Sequence, residues 1–283
     1  MPSLRTLLVL GRTSNLPTVW SNCLAAWWLG GGQNVGRLFG VLFGTTLLYL
    51  GGMYLNDAFD SDFDSQFRRE RPVPSGAIDL KLVWLIGLGL LTLGELALIP
   101  AGRTTALLGL LLVAAILVYD AVHKAITLSP VLMASCRFFL YLVAASAGAS
   151  GLTGLAVWSA FALAAYIVGL SYIARKESNR GALRYWPCLF LGAPIALALL
   201  ANADRFRETA WLLSGVLALW IIRCLRYTFG HTDRNIGRTV SGLLAGIAWV
   251  DLLAIADCRR DFAALFILLF FGALLGQRFV PAT

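Results

Sequence analysis

Along most of this chain the hydrophobic positions do not alternate with polar ones; they run on. Stretches of about 20 apolar residues, the length an α-helix needs to cross a bilayer, occur near residues 14 to 31, 36 to 55, 81 to 100, 104 to 120, 130 to 149, 153 to 173, 187 to 202, 209 to 225, 239 to 256 and 262 to 278. These runs predict an all-α membrane bundle of nine or ten transmembrane helices. The run at 239 to 256 decides between the two counts, because it is rich in glycine and carries Asp251, so it either crosses or lies obliquely. Pro17 falls in or near the first turn of the first run, where a missing N–H costs little. Gly40-Val-Leu-Phe-Gly44 and Gly242-Leu-Leu-Ala-Gly246 are small-xxx-small patterns that let helices approach closely.

Composition agrees with the pattern. With 59% hydrophobic and 13% charged residues over 283 positions, and a mean hydropathy of +0.76, a soluble domain is excluded. The net charge of +8 does not point to nucleic acid, because the basic residues are spread over the connections. With ten crossings and a cytoplasmic N-terminus, fifteen of the 23 Lys and Arg fall on the N-terminus and the even-numbered connections and six on the odd-numbered ones. By the positive-inside rule the former side is cytoplasmic. The five cysteines are scattered, which argues against a disulfide framework or a zinc site. The two histidines lie in no nucleophile motif. Leu7 to Leu10 is too short for a signal-peptide core, so the first helix is expected to be retained.

The candidate chemistry begins where the second run ends, in Tyr54-Leu-Asn-Asp-Ala-Phe-Asp-Ser-Asp-Phe-Asp64. If the helix continues, Asn56, Asp57, Asp60 and Asp64 fall at roughly 0°, 100°, 40° and 80° on the helical projection, and Asp62 falls on the far side at about 240°. Carboxylates crowded on one face repel each other, and a hard cation among them removes the repulsion. Mg²⁺ suits an all-oxygen set and joins one or two carboxylates to substrate phosphates. A solvated loop is the competing reading. A calcium loop is not, because its sixth and twelfth positions hold Ser65 and Arg71 instead of Gly and Glu. The basic segment Arg68-Arg-Glu-Arg71-Pro-Val-Pro-Ser-Gly76 favours a site, since cationic forks beside a carboxylate-bound metal form a receptor for a diphosphate.

Other polar residues are placed where they are costly. Arg137 lies about two turns into the fifth run and faces either a polar cavity or a structural ion pair. Asn22 sits inside the first run, for an interhelical hydrogen bond or for substrate, and Arg12 stands at its cytoplasmic edge, to snorkel or to hold an anion. Val118-Tyr119-Asp120-Ala-Val-His-Lys124 ends the fourth run, and Tyr172-Ile-Ala-Arg175-Lys176-Glu177 ends the sixth.

With these residues the chain resembles the UbiA superfamily of intramembrane prenyltransferases over nearly its whole length. The family's Asn-Asp-x-x-Asp-x-x-x-Asp signature is met by Asn56, Asp57, Asp60 and Asp64, and its trailing Arg-Pro-x-x-Ser-Gly by Arg71, Pro72, Ser75 and Gly76. Its Tyr-then-Lys element looks like Tyr119 with Lys124, and its Arg and Asn at the start of helix one look like Arg12 with Asn15. The second, Asp-rich signature is degenerate: Glu177 holds the last acidic position, the two earlier ones fall on Ile173 and Leu170, and Arg175 and Lys176 stand beside it.

The resemblance implies one integral-membrane domain over 1–283, with cap loops near 56–80, 120–130 and 174–186 on the cytoplasmic face of a bacterial inner membrane. It implies Mg²⁺ on Asn56, Asp57, Asp60, Asp64 and Glu177, and diphosphate on Arg71, Lys124, Arg175 and Lys176. An acceptor pocket of Arg12, Asn15, Asn22, Tyr119, Arg137 and Tyr172 completes it. The implied reaction moves a prenyl group from an allylic prenyl diphosphate to a lipid or aromatic acceptor. The alternatives are phosphoribosyl transfer to polyprenyl phosphate and a UbiA-type terpene cyclase. A transporter is disfavoured, because its charges would sit near the midplane rather than at one edge.

Overall fold

The computed structural model describes residues 2–178, 185–202, 207–230 and 234–281, the side chains of 176–178 excepted. Among the described residues the chain is helical throughout, with no strand. In order it runs α1 (Leu4–Leu10), a 3-10 turn (Thr13–Asn15), α2 (Leu16–Leu29), α3 (Val35–Phe59), α4 (Ser61–Phe67), α5 (Leu80–Leu98), α6 (Arg103–Val122), α7 (Ser129–Ser146) and α8 (Gly154–Ser178). It continues as α9 (Trp186–Phe190), α10 (Ala193–Ala201), α11 (Arg207–Phe229), α12 (Ile236–Ala245), α13 (Ile247–Ala254) and α14 (Arg260–Gly276).

Seven stretches, Val35–Phe59, Leu80–Ala101, Arg103–Val122, Ser129–Ser146, Gly154–Arg175, Arg207–Phe229 and Ile236–Ala254, are long and apolar enough to cross a membrane. The other three predicted runs fold as shorter helices: α2 has 14 residues, α14 has 17, and the run at 187 to 202 divides into α9 and α10. The run at 239 to 256 is helical too but breaks at Gly246 into α12 and α13. A Cβ there would meet the Trp220 ring and the Tyr166 hydroxyl at 2.9 Å, so Gly246 admits those side chains to the helix surface.

The polarity of the bundle is that of a protein in lipid. Leu85, Leu200, Phe39 and Trp158 point outward, from 63% to 86% exposed, while Asn22, Asp251 and Arg137 are buried. That distribution suits a hydrocarbon surround and would be unstable in water. α3 and α5 pack most intimately, because Gly44 faces Gly94 and Gly51 faces Gly87, and a Cβ on Gly44 or Gly51 would lie 2.9 Å from the partner's carbonyl oxygen. Short connections make α5 to α8 run alternately up and down. The start of α2, the end of α3 with α4, the end of α6, the start of α7 and the end of α8 therefore gather at one end, the cap end.

Candidate active site

The last turns of α3 stay covered: Asn56 is 4% and Asp57 6% exposed. At Asp60 the helix bends without losing its rotation, and α4 carries the same face onward. Asp60 and Asp64 are buried and Asp62 is exposed, so the four residues of the spacing share one face and Asp62 leaves it.

Cations from three other segments close on that face. Arg12 Nη2 donates to Asn56 Oδ1 at 3.1 Å and to Asp57 Oδ1 at 3.2 Å. Arg12 is the sole described non-glycine residue with positive φ, 41°, so the backbone accepts an unfavoured conformation where it turns from α1 into the 3-10 turn. Arg71 returns from the loop after α4, with Nη1 at 2.9 Å from Asp57 Oδ1 and 3.6 Å from Asp64 Oδ2. Lys124, just beyond α6, puts Nζ 2.7 Å from Asp60 Oδ1 and 3.8 Å over the Phe63 ring. His123 Nε2 stands 3.5 Å from the same Asp60 oxygen, and its ring stacks on Tyr119.

Burial raises the Asp60 carboxyl, but the hydrogen bonds and charges of His123 and Lys124 outweigh it and hold the pKa below the usual value. For Asp64 burial wins over Arg71 and Lys124, and the pKa is raised. Among the described residues Asp64 Oδ1 has no hydrogen-bond partner, nor has Oδ2 of Asp120, which α6 brings against Asn56. Buried acceptors without donors are costly. Among the described residues no three His, Cys, Asp or Glu side chains form a ready-made metal cage. An open, all-oxygen set with unpartnered oxygens fits Mg²⁺, which is commonly held by one or two carboxylates and completed by substrate phosphates and water.

A second polar layer lies deeper, about 12 Å along α7 from its first residue to Arg137. Arg137 donates to Asn22 Oδ1 at 2.8 Å and to Thr18 Oγ1 at 3.1 Å, and Asn22 Nδ2 donates to Asp251 Oδ2 at 2.7 Å. Ser21 donates to the same Asp251 oxygen. Tyr49 joins the layers: its hydroxyl donates to the Arg12 carbonyl at 3.3 Å and bonds the Asn15 side chain, and Arg137 lies 5.8 Å from its ring centroid.

The end of α8 does something else. Arg175 Nη1 donates to the carbonyls of Thr127 at 2.6 Å and Ile126 at 3.2 Å, and Tyr172 donates to Thr127 at 3.4 Å. These two residues grip the loop that presents Lys124; the structure brings neither onto the acidic face. The side chains of Lys176 and Glu177 lie outside the described residues.

The structure thus brings Arg12, Asn56, Asp57, Asp60, Asp64, Arg71, Tyr119 and Lys124 together at one end, along with Asp120, His123 and Tyr49, which sequence reasoning did not single out. The signal for the first two was present, since Asp120, His123 and Lys124 are spaced i, i+3 and i+4 and share a helical face. Asp251 was visible as the lone acid in its run, but its link through Asn22 to Arg137 crosses three helices and has no local signature.

A model of the UbiA prenyltransferase family matches residues 14–190. The protoheme IX farnesyltransferases of Geobacillus kaustophilus (strain HTA426) and Geobacillus sp. (strain WCH70) are 32% and 33% identical to the chain over 103 residues, 35% of this chain and 33% of each relative. The match thus spans about a third of the length of those curated relatives. A solved structure concerned with digeranylgeranylglyceryl phosphate synthase superposes with a TM-score of 0.60 at 16% identity, covering 96% of this chain and 99% of that one. A UbiA homolog from Aeropyrum pernix K1 does so with 0.53 at 18% identity, covering 95% and 97%. Likeness at such identities establishes the fold.

Proposed function

Since the chain belongs to the UbiA prenyltransferase family, we propose that it is an intramembrane prenyltransferase that moves a prenyl group from an allylic prenyl diphosphate to a lipid or aromatic acceptor. The observation that carries the reading is the convergence of Arg12, Arg71 and Lys124 on buried carboxylates at the bundle's cap end, with two carboxylate oxygens left without donors. Asp60 and Asp64, helped by Asn56 and Asp57, would hold Mg²⁺, and the sequence motif adds Glu177 to that set. Bound there, Mg²⁺ would neutralise charge on the diphosphate.

The chain's own groups do the rest. Arg71 and Lys124 are donors already aimed into the acidic face, and they bind the diphosphate and stabilise the charge that grows on it as the carbon–oxygen bond breaks. Arg175 acts through the loop it grips, setting where Lys124 stands, and the sequence motif assigns Lys176 to the diphosphate as well. The apolar interior excludes water, so the allylic cation survives until the acceptor captures it. Arg12, Asn15, Tyr49 and Tyr119 stand between the cap and the deeper layer, where Asn22 with Arg137 would offer an amide and a guanidinium to the acceptor's polar group, with Tyr172 at the loop above. The curated relatives' name specifies a farnesyl group and protoheme; for this chain both identities belong to the proposal's test.

The family resemblance supports one domain over 1–283 in a bacterial inner membrane, and the charge asymmetry of the connections supports a cytoplasmic cap. The test is incubation of the purified protein in nanodiscs with Mg²⁺, a lipid extract, protoheme, and farnesyl, geranylgeranyl and longer diphosphates, followed by mass spectrometry. A product heavier by one prenyl unit and released pyrophosphate are expected. Intact donor under every combination would overturn the reading.

A further inference from the structure

Of the four buried carboxylates at the cap end, Asp120 differs from the rest. Asp57 is paired with Arg12 and Arg71, Asp60 with Lys124 and His123, and Asp64 stands 3.6 Å from Arg71. Asp120 comes from the last turn of α6, is 3% exposed and has no salt bridge among the described residues. Its Oδ1 accepts from Asn56 Nδ2 at 3.0 Å, and its Oδ2 has no partner. The Asn56 amide turns its NH₂ toward α6, where the Asp120 carboxyl accepts it, and its oxygen toward Arg12, where the 3.1 Å contact is found. A buried negative charge held by one neutral donor is expensive unless a cation is drawn near.

We propose that Asp120 is a positioning residue of the cation subsite: it locks the Asn56 amide with its oxygen turned away from α6 and adds a buried carboxyl, without a salt-bridge partner among the described residues, that a divalent cation answers. This rests on the cation reading given above. Groups that orient metal ligands commonly change metal affinity 10- to 100-fold when replaced, and Asp120 stands in that relation to Asn56.

The experiment is titration of the full chain in nanodiscs with Mn²⁺ alone, following the free aqueous Mn²⁺ signal by electron paramagnetic resonance. Asp120→Asn keeps the size and an acceptor oxygen but removes the charge; it should weaken Mn²⁺ binding by at least about tenfold, while Asp62→Asn, on the exposed face, changes nothing. An Asp120→Asn affinity within about twofold of the wild type, with or without a lower melting temperature, would reduce Asp120 to a structural residue and overturn the proposal. Asp120→Glu guards against a variant that does not fold. It should keep Mn²⁺ within about threefold, and a loss as large as that of Asp64→Ala would overturn the charge argument. If the wild-type protein binds no Mn²⁺, the reading on which this inference rests falls, and the inference with it.

Discussion

At the scale of single residues, three aspartates within five positions have separate fates, and function should follow burial. Asp60→Ala or Asp64→Ala should lower turnover of the prenyl diphosphate by at least ~10²-fold, the loss typical of deleting one preorganised electrostatic partner, without preventing insertion. Asp62→Ala should leave turnover unchanged, because its side chain is exposed. Pyrophosphate release measured on the three proteins decides it, and equal losses at positions 60 and 62 would defeat the assignment. Arg12→Lys tests geometry rather than charge. One nitrogen of the guanidinium reaches both Asn56 and Asp57, which an ammonium on a different stem does not reproduce. The donor's KM should rise several-fold while the melting temperature moves little. The acidic face was legible in the sequence because the chain keeps its helical rotation through the bend at Asp60, so a projection drawn for one helix survived into two. Asp120 was not, since its meaning lies in the Asn56 amide on another helix.

At the scale of elements, the apolar runs foretold where helices lie better than how each is interrupted. Every run is helical, but α9 divides from α10 at Gly192, just before Pro194 in the first turn of α10, and α12 divides from α13 at Gly246, where the neighbours Trp220 and Tyr166 close in. Small-residue patterning was partly informative. Gly44 lies in tight contact with α5, whereas a Cβ on Gly40 would find its nearest neighbour at 3.9 Å, and the equally tight Gly51 stood outside the pattern. Gly51→Ala should therefore destabilise the protein by about 1–3 kcal/mol, as overpacking does, and Gly40→Ala should not; thermal melting in detergent compares them. The grip of α8 on the loop before α7 makes another testable element. Without Arg175 the Ile126 carbonyl loses this donor and the Thr127 carbonyl keeps only the longer contact from Tyr172. Arg175→Ala should speed tryptic cleavage after Lys124 and raise the donor's KM, with Arg175→Lys intermediate. An Arg175→Ala protein with unchanged cleavage and kinetics would leave Arg175 as a mere headgroup anchor.

For the whole molecule, the polar cap and the charge asymmetry are two views of one orientation. The loops carrying Arg68, Arg69, Arg71 and Lys124 meet at the end where α3, α6 and α8 finish, and Asp60 on one of them lies 2.7 Å from Lys124 on another. They must face the same compartment, which on the proposed topology is the cytoplasm, where soluble prenyl diphosphates and Mg²⁺ would reach the site. The connection between α7 and α8 lies at the opposite end of both helices. In a background lacking the five native cysteines, Gln66→Cys and Ala125→Cys should react with a membrane-impermeant maleimide only in inverted vesicles, and Leu152→Cys only in intact cells or right-side-out vesicles. All three positions are exposed, so protection by packing does not confuse the result. Reversal of all three would keep the site but move it to the outer face, removing its supply of cytosolic donor. Labelling of positions 66 and 125 from opposite sides would separate Asp60 from Lys124 and dissolve the site itself.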